Sequence, residues 1–170
     1  MVENRLYIRA TMRSAIVIVA ALIGCSSTPK DTAQSSDTAF TALQSRGAEA
    51  MGVDQYTSSH VFESLRDGGR IVLQRDSIDA AGTATIRAHM ANIASRFAKG
   101  DFTIPGMVHA REVPGTRVMA ARAGEIRYVA DTLPRGGQLR IITSDSISIA
   151  AVHEFLAFQR MDHRAAGHAH

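Results

Sequence analysis

Seven histidines and one cysteine are the residues of this 170-residue chain best suited to chemistry. The histidines are His60, His89, His109, His153, His163, His168 and His170. Neutral imidazole is the commonest protein ligand for a transition metal. Methionines accompany them in His89-Met90, Met107-Val108-His109 and Met161-Asp162-His163. Thioether beside imidazole suits copper, above all Cu(I). His60, His89 and His153 are expected between a sheet and its helices, with His109 supplied by a loop. That set is a candidate site for Cu or Zn. Spacing alone does not specify it, because no HxxxH or CxxC is present. Met90 fits an apolar helix stripe better than a ligand position, and His89 and His153 taken singly read as core-edge histidines bonded to backbone carbonyls. The ending "HRAAGHAH" reads as a short tail that could add exchangeable ligands, with His168 and His170 in its frayed part.

No catalytic residues are singled out. GxSxG, the phosphate-binding loop and GxGxxG after a strand are missing. His153-Glu154 lacks the second histidine of HExxH. An enzyme with a dispersed site is therefore the weakest alternative. A metal-free module that binds a small ligand or another envelope protein is the stronger one.

Cys25, the only cysteine, ends the apolar run Ser14–Gly24, which follows Arg5, Arg9 and Arg13. Crossing a bilayer takes roughly 20 apolar residues, so this run is too short for a membrane span. A basic start, a short apolar core and small residues at its end are the layout of a secretory signal. Leu22-Ile23-Gly24-Cys25 resembles the bacterial lipobox. The resemblance implies a signal peptide over 1–24 and a lipid on Cys25, which becomes the first mature residue. The protein is then held in the bacterial cell envelope, facing the periplasm or exterior, with the membrane as its first partner. No thiol remains for a disulfide or for cysteine catalysis.

Removing the leader leaves 16 basic and 15 acidic residues. That balance carries no electrostatic footprint for nucleic acid. Residues 25–37 are small and polar and read as a flexible tether. Residues 38–170 then form one domain with a short flexible end.

Asp37 reads as the N-cap of a helix running to about Gly52. Two similar segments follow. In "HVFESLRDGGRIVLQRDS" and "IRYVADTLPRGGQLRIITSD" a Gly-Gly pair separates apolar runs, the sign of a hairpin. Aligning Leu65 with Leu133 places Gly68-Gly69 on Gly136-Gly137, Ile71 on Leu139 and His60 on Tyr128. Each hairpin precedes a helical pattern, over 80–99 and 146–162. In the first, Ile86, Met90, Ile93 and Phe97 share one face. The fold class is therefore α+β. Duplicated ββα units form a four-stranded antiparallel sheet with two helices packed on one face. The connecting stretch holds Pro105-Gly106 and Pro114-Gly115, read as turns, and a short helix over 116–122. Strand order between the hairpins is not readable.

The runs "AMGVDQYTSSHVF", "FAKGDFTIPGMVHAREVPGT", "IRYVADTLPRGG" and "VHEFLAFQRMDHR" resemble a family of small bacterial proteins, some of which carry the name aspartate carbamoyltransferase. Carbamoyltransferases resemble one another in a Ser-Thr-Arg-Thr-Arg run and a His-Pro-x-Gln stretch. This chain has neither, so the resemblance implies a shared fold and brings no activity with it. Mass spectrometry of protein from the native host is expected to find Cys25 lipidated and the leader removed. A bare thiol with the leader attached would contradict the anchor.

Overall fold

The computed structural model describes residues 29–52 and 54–165. Cys25, the leader 1–24, His168 and His170 lie outside them. The first helix, α1, spans Pro29–Met51. It begins well before Asp37, so much of the expected tether is helical. Proline at the first helical position is pre-organised for the helix, and nothing between it and Gly47 breaks the pattern. Asp37 does not cap. It accepts a hydrogen bond from Arg164 at 3.0 Å.

The first hairpin is β1 (Ser58–Leu65) and β2 (Gly68–Arg75), followed by α2 (Ala80–Phe97). Two short helices, α3 (Thr103–His109) and α4 (Thr116–Ala121), bridge to β3 (Arg127–Leu133), β4 (Gly136–Ile142) and α5 (Ser146–Asp162). The expectation of a turn at Pro105-Gly106 is corrected, because both residues lie inside α3. Pro105 sits in the first turn, where its missing N–H breaks no intrahelical bond. Among the described residues no helix is long and apolar enough to cross a membrane.

The four strands form one antiparallel sheet in the order β1-β2-β4-β3. The two hairpins have the same register: Leu65 faces Gly68 and Leu133 faces Gly136. They join through β2 and β4, with the equivalent residues Ile71 and Leu139 directly opposite each other. The molecule thus has a pseudo-twofold axis through that pair.

Glycine makes this junction possible. A Cβ on Gly136 would lie 2.0 Å from the Leu73 carbonyl oxygen, and one on Gly68 would lie 2.3 Å from that of Ile141. These two contacts are equivalent under the axis. Both obstacles are backbone, so neither clash is relieved by moving a side chain.

Each helix packs chiefly on the hairpin of the other half, α2 on β3–β4 and α5 on β1–β2. Asp79 and Asp145 cap the two helices, accepting from the N–H of Gly82 at 2.9 Å and of Ser148 at 2.7 Å. With the caps aligned, Arg87 falls on His153. Arg87 donates to the Leu133 carbonyl at 2.6 Å, and His153 Nε2 meets the Leu65 carbonyl at 2.8 Å. Leu133 and Leu65 are themselves equivalent. Met90 and Leu156, also equivalent, lie over Gly137 and Gly69. The repeat read from sequence is therefore physical. The core between sheet and helices includes Leu73, Ile86, Met90, Phe97, Leu139, Ile141, Val152, Phe155 and Leu156.

Candidate functional site: a buried imidazole cluster

The symmetry fails in one place. On the α2 side, Phe97 packs edge-on against Tyr128, with ring centroids 5.7 Å apart at 75°. The equivalents of these residues are His163 and His60. Their rings stack 5.4 Å apart at 15°. Ile93 of α2 is likewise replaced on α5 by Gln159, which is buried. One half thus closes its core with Ile, Phe and Tyr, and the other puts Gln and two His in the same places.

These side chains line a cavity of about 80 Å³ together with His89, His109, Met51, Met90 and Phe97. Most of its wall is apolar, and α1 contributes Gly47 and Met51 to it. Such a volume holds several waters or one small organic molecule.

His109 is 6% exposed and arrives on the last turn of α3. Its Nδ1 lies 2.5 Å from an Asp162 carboxylate oxygen and its Nε2 lies 2.9 Å from Gln159 Oε1. A carboxylate only accepts, so Nδ1 carries the proton. Nε2 of a neutral ring then accepts from the Gln159 amide nitrogen with the amide turned over, and Nε2 of a charged ring donates to Oε1. Either way both ring nitrogens are engaged. His109 also meets the His163 ring edge-on at 5.0 Å.

His60 and His163 differ. His60 Nε2 and His163 Nδ1 are buried without a hydrogen-bond partner. Burial, then the like charge of His89, pushes the His60 pKa down to about 4, against an upward pull from Asp76. Burial, then His60 and His109, pushes His163 down to about 3. Both rings are therefore neutral at physiological pH. A buried, unpaired polar atom costs about 1–3 kcal/mol, which marks this pair as one that packing alone does not explain.

The structure brings His60, His89 and His109 of the expected metal set to one cavity and leaves His153 out. His153 ends on the Leu65 carbonyl, because it sits one position round the helix from Val152 and so faces the hairpin turn. His89 is held by the Ala50 carbonyl, which partly offsets the lowering of its pKa by burial. Among the described residues no group of three or more His, Cys, Asp or Glu is placed to hold a metal ion. His153 therefore stands apart from the other three histidines.

His163, Gln159 and Asp162 were not singled out from sequence. A signal was there: Val152, Leu156, Gln159 and His163 repeat the spacing of Ile86, Met90, Ile93 and Phe97. Comparison with protein-family models, curated proteins and solved structures returns no match.

Because the folded state holds His60 and His163 neutral while the unfolded chain protonates them near pH 6.5, the unfolded state binds more protons below that pH. Stability is then full above about pH 6.5 and falls as the pH drops toward 4, by up to about 1.4 kcal/mol per pH unit per histidine. Urea midpoints measured from pH 6.5 to 5, where carboxylates stay ionised, should fall steadily. His163→Phe should flatten that slope. Equal slopes in the two proteins would contradict the account.

Proposed function

We propose that this chain is an envelope-anchored binding domain that takes a small, largely apolar, neutral molecule into the imidazole cavity. The ligand offers an O–H or N–H donor to the unpaired nitrogen of His60 or His163. The observation that carries this reading is the broken symmetry. The fold closes the equivalent place with Phe97 and Tyr128, so it does not need imidazole there. An apolar wall with a few converging polar atoms is the usual make-up of a small-molecule site. The leader and Cys25 support the anchor, and the near-neutral charge of the mature chain fits a partner other than nucleic acid.

Met51 and Met90 in the same wall support a second reading. Two neutral imidazoles with thioethers nearby form a donor set of the kind Cu(I) accepts. It involves His60 and His163 and leaves out His153.

Calorimetry of the full chain in detergent separates these readings. Phenol, which carries one O–H donor, should bind roughly tenfold or more tightly than benzene, since a buried unpaired acceptor is satisfied only by phenol. That preference should weaken in His60→Phe and in His163→Phe and disappear when both are replaced, while benzene still binds. Equal binding of phenol and benzene would overturn the neutral-ligand reading. Saturable Cu(I) uptake lost in the same two variants would favour the metal instead.

A further inference from the structure

A second concavity lies on the outer side of His109, independent of the imidazole cavity. It is a groove of about 390 Å³ between the middle of α1, the residues after α3 and the end of α5. Three arginines line it: Arg46, Arg111 and Arg164. One is held by a backbone carbonyl and two by aromatic rings. Arg46 Nε donates to the Val108 carbonyl at 2.7 Å. The Arg111 guanidinium sits 5.1 Å from the Phe158 ring centroid, and that of Arg164 sits 4.2 Å from the centre of Phe40.

The charges do not cancel. Among the described residues Asp162 is the only carboxylate lining the groove, and it is hydrogen-bonded to His109. Arg164 is matched by Asp37. Among the described residues neither Arg46 nor Arg111 forms an ion pair. Two guanidinium groups oriented by a carbonyl and an aromatic ring thus share one concave surface with no ion pair of their own among the described residues, beside the single carboxylate of Asp162. Guanidinium presents its N–H groups as a planar fork that matches phosphate oxygens. Beside them stand Phe40 and Met161, the latter 71% exposed, which add an apolar flank.

We propose that this groove is an oxyanion site that takes a phosphate group on Arg46 and Arg111. The phosphate belongs to a small soluble ligand or to an anionic lipid headgroup, and the flank of Phe40 and Met161 accommodates the organic part. The groove reaches Ser36, eleven positions after Cys25, which brings a headgroup of the anchoring membrane into consideration.

The test uses the full chain in nanodiscs, with Arg46→Gln/Arg111→Gln as the variant. Arg117→Gln serves as control, because that arginine is exposed and paired with Glu112 elsewhere. Unchanged thermal melting of the double variant confirms that it folds. In phosphatidylcholine discs, inorganic phosphate should bind saturably, and the double variant should weaken it roughly tenfold or more while the control does not. Hydrogen exchange should show the backbone around 36–46, 108–111 and 161–164 protected in phosphatidylglycerol discs if the source is lipid. That protection should be lost in the double variant. Phosphate binding without lipid protection identifies a soluble ligand, and protection without phosphate binding identifies the headgroup. The proposal is overturned if neither occurs, or if both persist in the double variant.

Discussion

The antiparallel pairing of β2 with β4 is the constraint from which the rest of the molecule follows. It brings the start of each strand so close to the other that Gly136 and Gly68 have no room for a Cβ. Equivalent residues Ile71 and Leu139 then sit opposite each other, and the two hairpins become halves of one sheet. Each helix, leaving its own hairpin, crosses to cover the other. Met90 and Leu156 rest on Gly137 and Gly69, and Arg87 and His153 tie down the opposite turns. Neither ββα unit buries its apolar surface alone. The halves are stable only together, which is why one core serves both.

Against that symmetry the imidazole cluster stands out. A rough comparison of magnitudes supports this. A buried aromatic side chain stabilises by about 1.5–3 kcal/mol, and an edge-on aromatic pair adds about 0.5–1.5 kcal/mol. The half with Phe97 and Tyr128 has both gains, although the Tyr128 hydroxyl is buried unpaired and burial pushes its pKa up. The half with His60 and His163 has the stacking but buries an unpaired nitrogen on each ring. Loss of stability at such a place is the common signature of a site kept for use. His109, Asp162 and Gln159 then have a structural part, since their hydrogen bonds fix the ring that His163 meets edge-on.

Much of the architecture was legible from sequence because it is written in periodicity and glycine. The Gly-Gly pairs located both hairpins, the alignment of Leu65 with Leu133 put His60 on Tyr128, and the helical pattern over 146–162 coincides with α5. Strand order was not legible, because it depends on a close approach between residues far apart in the chain. The histidine set was half legible. His60, His89 and His109 do share a cavity, but His153 was placed by proximity to an apolar residue instead of by helical phase. A one-residue step on a helix turns a side chain by about 100°, enough to move it from the cavity to the hairpin turn. His163 has the right phase and was set aside as part of a tail. The helix reaches it because α5 runs to Asp162, with His163 as its C-cap.

The account rests on one physical state: two stacked imidazoles, neutral and each with an unpaired nitrogen, in the place where the other half carries Phe97 and Tyr128. Long-range proton–nitrogen correlation spectra of the imidazole rings, recorded near pH 5.5, report that state directly. The account predicts that His60 and His163 each show one protonated and one bare nitrogen there, since their pKa values are held at about 4 and about 3. Imidazolium signals from both rings at that pH would contradict it.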